Sequence, residues 1–438
     1  MKDLEQIQRI IDEKSKKILD ANDKIWNYAE LAFHETKSAE LLKSILKEEG
    51  FTLTEGDAGI PTCFTGRFSY GSGKPVIGIL GEYDALSSLS QKAGQAQKDP
   101  LIPGAPGHGC GHNLLGAGSA AAGIALAQLV DEGLPATVVV YGTPAEETLA
   151  GKTIMVNNGC FRDVDVVLGW HPHNHSEPGE IKHKAAAAFT MTFHGRAAHA
   201  CNCPENGRSA LDAAELTNIG VNYLREHVDK DCYMHYCYTH GGERPNIVPD
   251  YAQLWYMVRA YTFAQMKELE ARVRRVAEGA CLMTDTTVEV KILGENHDSK
   301  LNFTLAALAH DCMEAIGAPR FTEEEKAYAR QVAQAVGLPG VEGELDESIL
   351  PVDGTIKKDN GSSDVADVSQ IVPVVNINTA CYGRKTPNHS WAVTVQADKP
   401  AAHRGMLFAA KTLALMGTRL ATEPTLLAAV RAEFEQAE

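Results

Sequence analysis

The sequence predicts an α/β protein with a mostly parallel sheet, into which a smaller α+β domain is inserted. Short apolar runs bounded by Gly or Pro, at 75–81, 136–142 and 164–170, are typical of buried strands, and helical patterns separate them. From residue 186 the order becomes strand–helix–strand–strand–helix–strand, that of a ferredoxin-like domain. A length of 438 residues also exceeds what one core usually supports.

Polar residues follow the strands of the first domain. The predicted elements of this domain, in chain order, are amphipathic helices over 4–26 and 38–49, the strand at 75–81, a polar loop at 87–105, a tightly packed helix over 114–127, and the strands at 136–142 and 164–170.

Titratable groups follow the three strands: Glu82 and Asp84 after the first, Glu146 and Glu147 after the second, and His171 after the third. Carboxyl ends of parallel strands share one edge of a sheet, so we expect these groups to meet there.

The inserted domain is expected at 186–298, and the flanking segments 1–185 and 299–438 form the first domain. Its predicted elements are strands at 186–194, 233–239, 252–260 and 287–293 and helices at 206–227 and 263–284. The chain then continues with helices at 301–316 and 323–336, a loop over 338–362, a strand at 372–378 and a helix at 403–416.

Composition excludes several classes of protein. A net charge of -16 argues against nucleic acid and anionic membranes as partners. No run approaches the roughly 18 apolar residues of a membrane span, and the first residues lack the apolar core of a signal peptide. The ten cysteines are scattered, as in a protein with reduced thiols, so we expect a cytoplasmic protein. Cys201-x-Cys203 is only a weak metal signal.

A glycine-rich stretch at 106–113 contains the first candidate ligands, Cys110 and His112. The alternative is an ordinary turn with a small buried cysteine. Adjacent carboxylates Glu146 and Glu147 either form a solvated acidic turn or lie near a cation. Together with His171, these groups offer the S, N and O ligands of a metal site, in which one glutamate binds metal and the other acts as general base.

Six ordered motifs resemble the dinuclear-metal amidohydrolases, which include aminoacylases, bacterial carboxypeptidase G and the auxin-conjugate hydrolases. The motifs are His108-Gly-Cys-Gly-His112, Glu146-Glu147, Gly169-Trp-His-Pro172, Gly195-Arg-Ala-Ala-His199 with Gly207–Ala213, Asn246-Ile-Val-Pro249 and Gly361-Ser-Ser-Asp-Val365. The resemblance runs from about residue 25 to about residue 415 and is strongest to the aminobenzoyl-glutamate hydrolases, which have two subunits.

The resemblance implies two metals bridged by the Cys110 thiolate. His112 and His171 would complete the coordination of one metal, and Glu147 and His389 would complete that of the other. Glu146 would then be the general base. Many relatives have Asp where this chain has Asn113, a departure that concerns the surroundings of the ligands.

The inserted domain of the family mediates dimerisation and acts as a lid. His199 would then stabilise an oxyanion in the partner's active site, the alternative being a histidine satisfied within its own turn. Asn246 and Arg259 resemble positions near the substrate carboxylate, although Arg259 also suits a structural role on a strand face.

The function implied is a metal-dependent amidohydrolase of an N-acyl or N-aroyl amino acid. The amino acid is expected to be acidic, as in p-aminobenzoyl-glutamate or indole-acetyl-aspartate, and Glu146 activates the attacking water. Manganese is the expected metal, with zinc as the alternative. The expected assembly is a homodimer, or a complex with a related second subunit. Alternatives are a β-alanyl or similar dipeptidase, a non-catalytic subunit, and a redox or metal-storage protein.

Overall fold

The computed structural model describes residues 2–337 and 344–437, which form two compact units. The first contains the described residues up to Ile181, those of 300–357 and those from Val368 onward. The second contains Lys182–Ser299 and Lys358–Asp367. Residues 338–343 of the expected 338–362 loop lie outside the described residues.

The segment 358–367 was expected in the first domain, whereas its residues pack with the inserted unit. Asp359 lies 3.2 Å from His183 Nδ1, and Asp367 accepts hydrogen bonds from the Asn296 side chain and the His297 backbone. These side-chain contacts join segments far apart in sequence, which explains why no local pattern indicates them.

The chain begins with α1 (Lys2–Tyr28), α2 (Thr36–Glu48), β1 (Thr52–Glu55), β2 (Phe64–Tyr70), β3 (Val76–Gly81), α3 (His112–Asp131), β4 (Ala136–Gly142), α4 (Gly151–Asn157), β5 (Val166–His173) and β6 (Ile181–Lys182). The inserted unit adds β7 (Ala185–His194), α5 (Ala210–Leu224), β8 (Tyr233–His240), β9 (Tyr251–Ala260), α6 (Phe263–Thr284) and β10 (Thr287–Asn296). The last part contains α7 (Phe303–Ile316), α8 (Glu323–Val336), β11 (Lys357–Lys358), α9 (Val365–Val368), β12 (Val374–Ala380), α10 (Trp391–Thr394), α11 (Pro400–Thr422) and α12 (Pro424–Gln436).

The first unit is built on a sheet with strand order β1-β2-β4-β3-β5-β12. The pairs β4–β3, β3–β5 and β5–β12 are parallel, whereas β1 and β2 form an antiparallel edge. The predicted mostly parallel sheet is therefore confirmed. The β1–β2 hairpin was not predicted, because β1 is largely exposed and β2 carries no continuous apolar run.

The second unit has the predicted ferredoxin-like arrangement. Its four-stranded antiparallel sheet has the order β10-β7-β9-β8, with α5 and α6 packed against it. Inward side chains such as Phe189, Met191 and Tyr256 are fully buried and alternate along their strands with more exposed ones. The helix expected at 206–227 begins later, at Ala210, because the Ser209 side chain accepts a hydrogen bond from Asp212 N and caps it.

Helix α3 is the central helix of the first unit. It is long and apolar enough by composition to cross a membrane, which was not expected from the sequence, but 94% of its most apolar window is buried inside the protein. Small residues allow this packing: a Cβ on Gly118 would lie 2.6 Å from the Trp170 ring. The glycine turn at its start is thereby held on a rigid core helix.

The C-terminal helices extend further than predicted. The helix expected at 403–416 runs over Pro400–Thr422, and α12, which was not predicted, follows directly from Pro424. Only Val430 of α12 is buried, so this helix shows little of the apolar periodicity that sequence patterns detect.

Candidate metal centre

The glycine turn before α3 places a thiol and an imidazole beside one another. Gly111, between Cys110 and His112, has φ +82°, and a Cβ there would lie 1.9 Å from the Tyr382 hydroxyl. Only glycine fits this position. Because His112 is the first residue of α3, its backbone direction is set by the helix.

Asp84 orients both His112 and Glu147. The Nδ1 atom of His112 lies 2.9 Å from Asp84 Oδ1 and 3.1 Å from the Asp84 carbonyl oxygen, and Asp84 Oδ2 accepts a 2.9 Å hydrogen bond from Glu147 N. Since both partners of Nδ1 are oxygens, Nδ1 carries the proton. In the neutral ring, which is the form that binds metal, the Nε2 lone pair of His112 is thereby directed into the site.

Three groups of ligand atoms meet at this edge of the sheet: Cys110, His112 and His171; Cys110, Glu147 and His389; and Glu82, His112 and Glu146. The atoms within each group lie within 4.8 Å of one another. Cys110 Sγ is 3.4 Å from His171 Nε2, and His389 Nε2 is 3.5 Å from Glu147 Oε2. Ligands about 2.0–2.3 Å from a tetrahedral ion lie roughly 3.3–3.7 Å apart, so these separations suit metal coordination.

Unsatisfied buried atoms show that the residues fit a cation. Nε2 of His112, Oε1 of Glu147 and Oε2 of Glu82 are buried and make no hydrogen bond within the described protein. His112 Nε2 and Glu82 Oε2 are only 3.3 Å apart, but their geometry is not that of a hydrogen bond. Leaving such lone pairs unpaired costs about 1–3 kcal/mol each, a penalty that a metal ion removes.

The raised pKa values of Glu147 and Cys110 also indicate a cation site. Burial, together with the Asp84 and Glu82 carboxylates, raises the pKa of Glu147 to about 7. Burial and the neighbouring Glu147 raise the pKa of the Cys110 thiol. Anionic forms of both groups are therefore unfavourable in the bare site, and a divalent cation supplies the charge that stabilises them.

Glu146 belongs to only one of the three groups, that of Glu82 and His112. Its Oε2 is 4.0 Å from His112 Nε2, farther than Glu82 Oε2, which is 3.3 Å from the same nitrogen. It lies in the short 3₁₀ turn Glu146–Thr148, which is flanked by Ala145 and Leu149 in the left-handed region (φ 60° and 55°). These strained residues turn both carboxylates toward the site immediately after β4.

A buried carboxylate that the sequence patterns did not identify supports this turn. Glu35 accepts hydrogen bonds from Ala145 N at 2.8 Å, Phe33 N at 3.0 Å and the Thr62 hydroxyl at 2.9 Å. Burial, with the nearby Asp84 charge, raises the pKa of Glu35 to about 7. Glu35 is thus a positioning residue for the turn that carries Glu146.

Glu82 was expected at this edge of the sheet but was given no role, and Lys152 was not identified. Glu82 directly follows β3, and its Oε1 lies 2.7 Å from the buried ammonium of Lys152. Lys152 lies on α4, whose seven residues are too few to show a periodic pattern.

The remaining predicted site residues, His199, Asn246 and Arg259, lie in the second unit. His199 is exposed, and its Nδ1 accepts hydrogen bonds from Cys201 N and Asn202 N at 3.2 Å. Asn246 lies beside it, because its carbonyl accepts a hydrogen bond from Ala200 N. Arg259 is half-buried on β9 and donates to the Asn360 carbonyl oxygen at 3.4 Å.

The asparagine at position 113, where many relatives have aspartate, is explained by hydrogen bonds that do not involve the metal site. Its amide Nδ2 donates to Asn22 Oδ1 at 2.8 Å and to the Ala397 carbonyl at 3.0 Å. A carboxylate has no proton for either acceptor. The difference from these relatives at Asn113 is therefore explained by the packing of α1 against α3.

We expect Cys110→Ser to remove bound metal, because a serine hydroxyl replaces the thiolate that two ligand groups share. The measurement is metal content per chain after dialysis. Cys201→Ser and Cys203→Ser are matched controls, since neither cysteine belongs to a metal-ligand group among the described residues. Metal loss in these controls with retention in Cys110→Ser would refute the assignment.

We expect Glu35→Ala to lower both kcat and stability, the latter by about 2–4 kcal/mol, because a buried and a partly buried backbone N–H group lose their acceptor. Glu35→Gln keeps an acceptor oxygen in place and should retain most of both. Glu30→Ala is the control: Glu30 accepts from Lys37 N and Ser38 N at the start of α2, so it should affect stability alone. Urea unfolding and steady-state kinetics separate these outcomes, and normal turnover by Glu35→Ala would contradict the role.

Comparison with known proteins agrees with this geometry. Residues 181–282 match the M20 peptidase dimerisation domain. A p-aminobenzoyl-glutamate hydrolase subunit of Escherichia coli (strain K12) is 38% identical over 99% of this chain and 96% of that protein. The Xaa-Arg dipeptidase of Mus musculus is 28% identical over 97% of this chain and 90% of that protein.

A solved structure from Bacillus subtilis, described as a dinuclear metal-binding peptidase of the M20 family, shares the fold. It has a TM-score of 0.64 and 17% identity, and the match covers 94% of this chain and 99% of that one. The resemblance stated from the sequence motifs is confirmed by the 38% identical relative. The chain therefore belongs to the M20 peptidase family and is a hydrolase of amide bonds.

Proposed function

We propose that the protein hydrolyses the amide bond of an N-acyl or N-aroyl amino acid whose amino acid is acidic, of the p-aminobenzoyl-glutamate or indole-acetyl-aspartate type. The observation that carries the proposal is Glu146, a carboxylate 4.0 Å from His112 Nε2 and beside the two groups of metal-ligand atoms that share Cys110. The name of the 38% identical relative supports the class of substrate.

We further propose that the centre binds two divalent cations. Cys110 belongs to two of the three ligand groups, with His112 and His171 in one and with Glu147 and His389 in the other, so its thiolate would be shared by the two ions. When bound, such cations polarise the scissile carbonyl and increase the acidity of water. Imidazole and carboxylate ligands suit Mn²⁺, which we propose as the metal, and the thiolate makes Zn²⁺ the alternative.

The catalytic steps proposed for this chain's own residues are proton transfers. Glu146 takes a proton from the attacking water and later delivers it to the nitrogen of the leaving amine. Glu146 is itself buried and lies on a strained turn, which restricts its motion, so the carboxylate needs little reorganisation between the two transfers. Asp84 keeps His112 and Glu147 in their orientations throughout.

Residues of the second unit are proposed to bind the substrate and stabilise the reaction. Arg259 and Asn246 suit the carboxylate of the amino acid, because a guanidinium group forms two-pronged hydrogen bonds to such groups. His199 is proposed to act as oxyanion donor in the active site of a partner protomer.

A homodimer formed through the second unit is part of this proposal. The matched family domain is a dimerisation domain, and this unit exposes large apolar side chains such as Ile219, Tyr223 and Leu282. A related second subunit is an alternative partner, since the relative from Escherichia coli is one subunit of its hydrolase.

A dipeptidase is the second candidate function, and the Xaa-Arg dipeptidase relative supports it. An acidic leaving amino acid and a basic one require opposite charges in the substrate pocket. Assaying a panel of acyl-amino acids and dipeptides therefore distinguishes the two candidate functions. A non-catalytic subunit would hydrolyse none of them.

We propose a cytoplasmic location. All ten cysteines lie in the described part of the chain, and each is a free thiol, which suits a reducing compartment.

Glu146→Gln should reduce kcat by at least about 100-fold while metal content stays at the wild-type level, because the general base is lost and the ligands remain. The assay is hydrolysis of p-aminobenzoyl-glutamate by the Mn²⁺-loaded chain, alongside metal analysis. Undiminished hydrolysis by Glu146→Gln would refute the role of Glu146 as general base. If the metal-loaded wild type hydrolyses no compound in the panel, the result favours a non-catalytic subunit.

Complementation tests whether His199 acts in the partner's site. Glu146→Ala and His199→Ala proteins should each be inactive, whereas a mixed dimer contains one site with both residues intact. Random exchange between the two should restore about one quarter of wild-type activity. If His199 acts within its own chain, mixing restores nothing.

A further inference from the structure

Glu82 is a buried carboxylate whose two oxygens have different surroundings. Its side chain is 4% exposed, and its Oε1 lies 2.7 Å from Nζ of Lys152, which is fully buried. Its Oε2 has no hydrogen-bond partner within the described protein and lies 3.3 Å from His112 Nε2, which also has none. One oxygen is thus neutralised by an ammonium group, while the other is directed at the ligand nitrogen of His112.

In the neutral form of His112, which is the form that binds metal, Nδ1–H donates a hydrogen bond to Asp84. The Nε2 lone pair of that form faces Glu82 Oε2 at this short distance. Unpaired lone pairs in contact inside a protein are unfavourable unless a positive charge lies between them. A separation of 3.3 Å is close to the roughly 3.3–3.4 Å expected between nitrogen and oxygen ligands of one tetrahedral ion.

We propose that Glu82 is a further metal ligand, which binds through Oε2 the same ion as His112 Nε2 and is held in place by Lys152. This inference rests on the proposed two-metal centre. It gives the ion bound by Cys110, His112 and His171 an oxygen ligand from the protein. Glu146, at 4.0 Å from the same nitrogen, stays outside that ligand set as the base.

Charge balance supports a role for the Glu82–Lys152 pair in metal binding. The centre gathers five groups that are anionic when metal is bound: Cys110, Glu82, Asp84, Glu146 and Glu147. Two divalent cations and the Lys152 ammonium together neutralise them. A buried ammonium without Glu82 would instead repel the ions, so the lysine and the extra carboxylate belong together.

The test is metal binding by Glu82→Gln, measured as Mn²⁺ and Zn²⁺ content per chain after dialysis and as affinity by calorimetry. The carboxamide keeps an oxygen for Lys152 and directs an N–H group at His112 Nε2, which blocks that nitrogen. We expect the variant to retain about one ion where wild type retains about two, with at least about tenfold weaker binding of the second ion.

Glu180→Gln is the matched control. Glu180 is a buried carboxylate of the same unit, 3.0 Å from Lys357 Nζ, and belongs to none of the metal-ligand groups among the described residues. It should retain both ions. Glu82→Asp keeps the charge and withdraws the oxygen by one methylene, so it should also bind the second ion at least about tenfold more weakly if Glu82 is a ligand.

Several outcomes overturn the proposal. Metal content and affinity at the wild-type level in Glu82→Gln would overturn it. Metal binding at the wild-type level in Glu82→Asp would also overturn it, because Glu82 would then contribute only its charge and not a ligand oxygen. If Glu82→Gln does not fold, a crystal structure of the metal-loaded wild type decides: an ion about 2.0–2.2 Å from Glu82 Oε2 supports the proposal, and one beyond about 3 Å overturns it.

Failure of the proposed function has a different signature. In that case the wild type itself retains no metal or hydrolyses no acyl-amino acid, whatever Glu82→Gln does. If the wild type retains two ions and is active while Glu82→Gln does the same, only the inference about Glu82 fails.

Discussion

Asp84 is the residue on which the organisation of the site depends. Its two carboxylate oxygens contact the His112 ring and the Glu147 backbone, and its own backbone belongs to the segment that follows β3. A single side chain thus links a strand, the first residue of the core helix α3 and the turn after β4. Because Asp84 is fully buried, no water competes for these hydrogen bonds, and the orientation of both contacts is retained.

The part of the site that could be predicted from sequence follows from a topological rule. Parallel strands end at one edge of their sheet, so Glu146, Glu147 and His171 are brought together by the positions of three apolar runs. His389 required the family resemblance, since it lies in a polar loop with its side chain 57% exposed and no local pattern identifies it. The ferredoxin-like unit was predictable because each of its elements is long and regular.

Other features depend on contacts that sequence patterns do not encode. Glu35 lies in a loop after α1 and meets Ala145, 110 residues later, through a single backbone hydrogen bond. Lys152 sits on a helix of two turns, and its role becomes visible only when Glu82 is seen opposite it. The inclusion of 358–367 in the second unit likewise rests on ion pairs and hydrogen bonds between distant segments.

The left-handed backbone at Ala145 and Leu149 has a consequence for the evolution and engineering of the enzyme. A residue with a Cβ in this region is destabilised by about 1–2 kcal/mol, which glycine would avoid. Glycine would also release the turn that carries Glu146. Selection for thermal stability alone would therefore favour changes at these positions that slow turnover, and the two properties oppose each other within one five-residue segment.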